Sequence, residues 1–303
     1  MQTVQKLKGE LELNGDMTEL MDVLKGIAVS EFWALAKKQG RFARFMNAFN
    51  GFFNILDFSM VEHPYAQGKG KLAILMITSN EGFMGGLNSR VITTALSRGE
   101  AEEAELIIVG EQGATQLRAM NRRFTAFPGI VSEERYEASV QLRDHIVKET
   151  QGGKFGRLSV YYPKPVSFMV QKVEELKILP CTELFQKKGK AALEDVRDLI
   201  IESSLYNMIQ YLTETWIAQK LYEVLEDSKL SEFSARTVHL EESFQILQDQ
   251  GKNIRYRYLR SWHELINKGM RDTFSAQILR RRSKREQTLE FAKDEGLPDG
   301  GQG

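Results

Sequence analysis

The sequence predicts α/β structure plus long helices, with an α/β domain inserted between two helices that pair as an antiparallel coiled coil. Three observations predict it. From Lys71 to Ile92, KLAILMITSNEGFMGGLNSRVI, an apolar run from Leu72 to Ile77 is ended by Thr78, Ser79, Asn80, Gly82, Gly85 and Gly86. Leu87, Val91, Ile92 and Leu96 then recur at helical spacing, giving strand, turn and helix. Strand-like and helix-like segments keep alternating as far as about Leu179, the pattern of a doubly wound, Rossmann-like layer. Outside that layer, both ends of the chain run for long stretches without proline.

The N-terminal stretch, Gln2 to about Asp57, repeats apolar residues in steps of three and four. Met17, Leu20, Leu24 and Ile27 come first, then Phe42, Phe45, Phe49, Phe52 and Leu56, with Glu31 and Lys38 interrupting the seam. At ~1.5 Å per residue, a helix from Asp16 to Asp57 would reach roughly 60 Å, too long to be covered by one compact domain unless another long helix runs beside it. The aromatic run reads as core packing, since no residue type that marks a cofactor box accompanies it.

His63-Pro64, Gly68 and Gly70 mark the change to the α/β layer. Glu105 to Gly110 is a second strand, Gly113 to Met120 a short helix, and Phe124 to Phe127 a third strand before Pro128-Gly129. A longer helix is expected from Ser132 to about Thr150, with Ser132 as its cap and Glu133 and Glu134 at its positive end. Gln151-Gly152-Gly153 reads as a surface loop. Arg157 to Tyr162 and Val166 to Leu179 read as strands ending at Pro163 and Pro180. From about Glu194 to Phe291 helix formers dominate, and Leu240, Phe244, Leu247, Ile254 and Tyr258 keep a seam in which Gly251 fills the gap. A break in this second helix would fall near Asp227 to Ser231. Pairing the two seams is the economical way to bury both, which divides the chain into an N-terminal shaft helix (1–62), an inserted α/β domain (63–193), a C-terminal shaft helix (194–292) and a disordered tail (293–303).

Composition excludes several functions. At 303 residues the chain can bury a sizeable core, and no apolar run approaches the ~18 residues that span a bilayer. Met1 to Leu13 lacks the basic start and apolar core of an export signal. The single cysteine, Cys181, excludes an internal disulfide and reads as a small packed hydrophobe, as expected in a reducing compartment. Forty-one basic residues balance 41 acidic ones, which argues against a generally basic nucleic-acid binder.

Nothing marks a catalytic centre. The turn is not G-x-G-x-x-G, no Gly-Lys-Ser/Thr follows, and a tight turn packing helix on strand explains its glycines better than a phosphate cradle does. His63, His145, His239 and His263 are scattered without metal-ligand spacing and read as surface or partly packed side chains. Glu10, Glu12, Glu102, Glu103, Glu133 and Glu134 read as solvated helix faces. There is no G-x-S-x-G elbow.

Three blocks carry a family resemblance. Ile77, Thr78, Ser79, Gly82, Gly85, Gly86, Leu87 and Asn88 match the ITS-x-x-G-x-x-G-G-L-N segment of the gamma subunit of rotary, F-type ATP synthases. Leu20, Val23, Leu24, Ile27, Ala28, Ser30 and Glu31 occupy the positions of that family's opening helix, with glutamate at a lysine position. Leu221-Tyr222-Glu223-x-Leu225-Glu226-x-Ser228 followed by Ser231-Glu232-x-x-Ala235-Arg236 is similar to L-Y-x-x-L-x-E-S-x-x-S-E-x-x-A-R, with Leu240 and Ser243 in register. Asn267, Phe274, Ser275, Gln277 and Ile278 continue the likeness by class. The blocks keep the family's order across nearly the whole chain.

The resemblance implies the central rotor shaft of an ATP synthase or ATPase. Such a shaft passes through a hexamer of alpha and beta subunits, with its foot on a membrane ring of c-type subunits. Ion flow, of protons or sodium, turns it, and its asymmetry drives the beta sites through different nucleotide affinities. It implies a non-catalytic chain with no cofactor, no metal, no nucleic acid and no direct membrane insertion, peripheral at the cytoplasmic face of the inner (plasma) membrane. An epsilon-type subunit is implied near the foot, beside the α/β domain and the segment before Arg236. Met270, Arg271, Ser275 and Gln277 stand where the family faces the moving loops of the catalytic subunits, with Met270 at a usual arginine and Gln277 at a usual glutamate. The family's last turns are small and apolar. Here Arg280, Arg281, Arg282, Lys284 and Arg285 precede an acidic, glycine-rich end, the mark of a divergent branch. The rival readings are a coiled-coil scaffold or adaptor without a hexamer, and a nucleotide-binding α/β enzyme using the turn from Gly82 to Gly86.

Overall fold

The computed structural model describes residues 4–37, 63–131, 133–181, 184 and 203–294. Its elements in chain order are α1 (Val4–Ala36), α2 (Pro64–Gln67), β1 (Leu72–Ile77), α3 (Leu87–Leu96), a 3₁₀ turn (Gly99–Glu102), β2 (Glu105–Val109), α4 (Glu111–Ala119), β3 (Thr125–Phe127), α5 (Arg135–Gln151), β4 (Arg157–Pro165), β5 (Gln171–Leu179) and α6 (Leu205–Asp294). Contacts gather into two units, one of Met1–Leu20 with Phe244–Gly303, the other of Met21–Ser243.

The five strands form one sheet in the order β3-β2-β1-β4-β5, parallel except for β5, which runs antiparallel to β4. Alternation along β1 divides the core. Ala73, Leu75 and Ile77 face Leu142 and Ile146 of α5 and Trp216, Ile217, Leu221 and Leu225 of α6. Ile74 and Met76 face Val91, Ile92 and Ala95 of α3 and Ala114 and Leu117 of α4. Both faces are covered by helices, which is why the inner strands read as continuous apolar runs.

Three expected boundaries move. β4 continues through Pro163 because its pairing with β1 ends at Tyr161, so proline's missing N–H falls where the strand has one neighbour. β5 starts at Gln171 instead of Val166, because residues 166–170 close a tight turn in which the Val166 N–H donates to the Val170 carbonyl at 2.9 Å. α5 starts at Arg135 with Glu134 at its N-cap position and no side-chain capping bond; the expected cap, Ser132, lies outside the described residues.

α6 is a single helix of 90 residues and does not break between Asp227 and Ser231. That segment holds no glycine or proline, and the Ser228 hydroxyl donates back to the Val224 carbonyl at 2.6 Å, within the helix.

α1 and α6 run antiparallel in each unit. In the first, Glu10 pairs with Arg257 at 3.8 Å, and a Cβ on Gly251 would stand 2.5 Å from the Asn14 Oδ1. Gly251 is the residue that lets the helices approach. In the second, Lys25 pairs with Glu241 at 3.0 Å, while Phe32 and Leu35 pack on Leu230 and Phe233. Each step down α1 is matched by a step up α6. On α6 the seam is the expected one: Leu240 is buried, and Leu247, Gly251, Ile254 and Tyr258 are half-buried.

On α1 the seam differs from the expectation. The covered residues are Leu7, Leu11, Asn14, Thr18, Met21, Lys25, Ala28, Phe32 and Leu35, alternating steps of four and three. Met17, Leu20 and Ile27 are exposed, Leu24 is half-buried, and Glu31 is exposed beside the seam instead of interrupting it. Lys38 and the stripe from Phe42 to Leu56 lie outside the described residues. So do residues 295–303, on which the expected disordered tail mostly falls.

Candidate functional site

The turn after β1 is built to be filled. Thr78 donates from Oγ1 to the Val109 carbonyl at 2.6 Å, which ties the end of β1 to the end of β2. Asn88 reaches back from α3: its Oδ1 accepts from the Ser79 N–H at 3.2 Å, and its Nδ2 donates to the Ser79 Oγ at 2.9 Å. The Asn80 Oδ1 takes the Glu111 N–H at 3.2 Å, at the head of α4. Gly110, at φ +98°, lies so close that a Cβ would stand 2.4 Å from the Thr78 carbonyl oxygen, and on Gly129 one would stand 2.1 Å from the Asn80 Oδ1. This is the edge of the sheet where doubly wound proteins hold ligands. Here the Thr78 hydroxyl and the Ser79, Gly110, Glu111 and Gln112 N–H groups are bonded within the chain.

The second half of the turn rests on α6. Gly85 and Gly86 take left-handed conformations at φ +55° and +80°, and Gly86 starts α3. Met84 and Leu87 pack on Ala235. Outside this contact the Arg236 guanidinium donates to Glu232 at 2.8 Å and to Glu81 at 3.0 Å, and Lys229 meets Glu232 at 3.0 Å. Glu232 and Arg236 are nearly covered, while Glu81 stands in solvent. Two cations over one covered carboxylate make a network in which each charge has a partner.

The turn between β4 and β5 grips the same stretch of α6. The Ser234 hydroxyl makes a short hydrogen bond to the Phe168 carbonyl and receives the Gln171 Nε2 at 2.6 Å. The Phe168 ring meets Phe32 edge-on at 4.7 Å and stacks on Trp33 at 6.4 Å, so residues 229–239 of α6 are held by the motif turn, the hairpin and α1 together. Arg236 and Lys229 also lie over the Phe233 ring, at 5.9 and 5.0 Å.

The two family blocks therefore meet. Leu87 packs on Ala235, Asn88 braces the turn, and Glu232 and Arg236 tie α6 to it through Glu81, with Gly82, Gly85 and Gly86 forming the bend and Ser231 fully buried. Sequence reasoning missed Glu81, Lys229, Phe168 and Trp33. The spacing Lys229, Glu232, Arg236 was a usable signal, since steps of three and four put all three on one face. Met270, Arg271, Ser275 and Gln277 belong to the other unit, where all four are exposed on α6.

The histidines do not gather into a site. His63 is buried, not at the surface. Its Nδ1 accepts the Tyr65 N–H at 3.3 Å at the start of α2, and burial holds the imidazole below its ordinary pKa against the pull of Glu214. His145 is half-buried against Phe127 and is likewise lowered by burial. His263 is exposed. Cys181 is buried, its thiol against the Ile178 carbonyl at 3.2 Å. Among the described residues no group of three His, Cys, Asp or Glu could hold a metal ion, and no helix is long and apolar enough to cross a membrane.

Comparison with known proteins agrees with this architecture. The family model for ATP synthase matches residues 3–271. The ATP synthase gamma chain of Clostridium acetobutylicum is 26% identical over 225 residues, 71% of this chain and 77% of that one. The gamma chain of Desulforudis audaxviator is 27% identical over 181 residues, covering 56% of this chain and 61% of its own length. Among solved structures, a chain of the Euglena gracilis mitochondrial ATP synthase rotor superposes with a TM-score of 0.62 at 16% identity, over 87% of this chain and 98% of that one. One from the Tetrahymena thermophila mitochondrial ATP synthase central stalk and c-ring gives 0.54 at 18% identity, over 74% and 99%. With its paired helices, inserted sheet and joined motif blocks, the chain belongs to the ATP synthase family, as a gamma-type subunit.

Proposed function

We propose that this chain turns inside a hexamer of alpha and beta subunits, with its foot beside an epsilon-type subunit on a ring of c-type subunits at the cytoplasmic face of the membrane. It couples ion translocation to ATP synthesis or hydrolysis without chemistry of its own; catalysis belongs to the beta subunits. The division of labour follows the chain: residues 1–62 and 194–292 as shaft helices, 63–193 as the inserted domain, and 293–303 as a tail. Met270, Arg271, Ser275 and Gln277 are the side chains offered to the moving loops of the hexamer.

One observation carries this reading. Large apolar side chains stand exposed on both helices: Leu13, Met17 and Leu20 on α1, and Trp262, Ile266, Met270 and Phe274 on α6. A lone coiled coil keeps its outside polar, and stripes this long suit a surrounding sleeve.

The test is co-expression with the alpha-type and beta-type subunits of the same genome. The expected result is stoichiometric co-purification and an ATPase rate that depends on this chain. Recovery of the chain with other helical proteins and without the hexamer would favour the scaffold reading.

A further inference from the structure

We propose that His63 is a proton-sensitive latch: neutral, it holds the short helix α2 against α5 and α6, and acidification releases α2 while the rest of the fold stands. The inference is independent of the rotor reading. His63 occupies the N-cap position of α2, and its Nδ1 accepts the Tyr65 N–H at 3.3 Å. An accepting nitrogen carries no proton, so the neutral ring holds its proton on Nε2. That second nitrogen is buried and finds no hydrogen-bond partner among the described residues. Protonation therefore inverts the cap: Nδ1 becomes a donor facing a donor, and a full charge sits on a side chain that is 2% exposed.

Among the described residues, the surroundings offer the new charge little. Tyr65 of α2 and Tyr206 of α6 lie in tilted ring contact with the imidazole at 4.6 and 4.7 Å, and α6 contributes the Glu214 carboxylate. Glu214 is already engaged, accepting the Tyr65 hydroxyl at 3.2 Å and the Gln210 Nε2 at 2.9 Å. From α5 comes the uncharged Gln151, which donates to the Tyr65 hydroxyl at 3.3 Å, and from the end of β5 the Cys181 N–H, which donates to the Tyr65 carbonyl at 2.9 Å. Burial outweighs the pull of Glu214 and keeps the imidazole below its ordinary pKa. The closed state is therefore fully held above pH 6.5 and is lost as the pH falls from 6.5 toward the folded value. Release stays local because α2 has four residues and is followed by Gly68 and Gly70 at positive φ. Opening it breaks the cap and the Tyr65 contacts and leaves the sheet paired, a step of lower cost than global unfolding.

The contact with Cys181 supplies the reporter, since this is the chain's single cysteine and it is buried in the same cluster as Tyr65. The experiment measures the rate at which Cys181 of the full chain reacts with an aromatic disulfide reagent at about pH 7.5 and about pH 5.0. Each rate is divided by that of the same chain unfolded in urea at the same pH, which removes the titration of the thiol itself. Protection of wild-type Cys181 is expected to fall by about tenfold at the lower pH, with helical circular dichroism unchanged. His63→Asn keeps an acceptor for the Tyr65 N–H but does not titrate, so its protection should agree within about twofold at the two pH values. His63→Ser, a second cap that does not titrate, serves if the asparagine variant does not fold. Wild-type protection that stays level or rises on acidification overturns the latch, as does a fall that persists in the variants. Protection lost together with the helical signal would mean global unfolding and would overturn it as well.

Discussion

Arg236 serves two carboxylates of opposite surroundings, the covered Glu232 and the solvated Glu81. Arg236→Ala leaves Glu232 with Lys229 alone, and a loss of about 2–3 kcal/mol is expected in urea unfolding, with Arg236→Lys losing less. Glu81→Gln should change stability by less than about 0.5 kcal/mol, because that end of the network is exposed. Gly110→Ala drives a Cβ to 2.4 Å from the Thr78 oxygen at a φ of +98°, and should destabilise the domain by about 3 kcal/mol or more. His63 gives a pH signature. Its folded pKa lies below the ordinary 6.5, so the unfolded chain binds the proton more readily. Its contribution is full above pH 6.5 and is lost as the pH falls through 6.5 toward the folded value. His63→Asn keeps an acceptor for the Tyr65 N–H and should flatten the acid side of the stability curve, with His145 leaving a residual slope of the same sign. An unchanged acid limb would remove His63 from the account. At this scale, the glycines and Asn88 of the turn were legible from motif spacing, whereas the Glu81 contact joins residues 155 positions apart and left no local trace.

At the scale of elements, α6 was legible and α1 was not, for one physical reason. Leu240, Phe244, Leu247, Ile254 and Tyr258 stand out against polar neighbours, and the glycine that seemed a gap proved to be the point of closest approach to Asn14. The inner face of α1 is diluted by Asn14, Thr18, Lys25 and Ala28, while its outer face carries Leu13, Met17, Leu20, Val23 and Ile27. Periodicity finds the more apolar stripe, and on this helix that stripe points outward. The consequence can be checked with cysteines on a chain whose Cys181 is replaced. Asn14→Cys with Gly251→Cys should oxidise readily to a cross-link, while Met17→Cys with Gly251→Cys should not, since Met17 is on the outer face. The reverse result would restore the original seam and undo the register. β5 shows a similar limit: Val166 to Val170 has strand-like composition, yet β4 and β5 need a turn there, and chain reversal overrides propensity.

For the whole molecule, the alternation of the middle segment made the α/β layer legible, and two proline-free ends made the helix pair legible; what no pattern could reveal was that the layer grips α6 at the second motif block. The isolated chain is expected to show neither saturable ATP binding nor turnover when titrated with labelled nucleotide. A binding isotherm that Asn88→Ala or Gly85→Ala abolishes would reopen the enzyme reading. That expectation follows from the mouth of the sheet, where Asn88 and Asn80 bond the Ser79 and Glu111 amides and the backbone is packed too closely at Gly110 and Gly129 to admit a Cβ. A shaft inside a machine that handles nucleotide is surrounded by ATP and ADP at every moment. A layer with an open mouth would feel their ratio directly, and its shape would drift with the energy charge of the cell. A mouth braced by its own side chains, if the titration finds no nucleotide there, would leave such a shaft to sense the metabolite only through the subunits around it: the insulation of a transmission from its fuel.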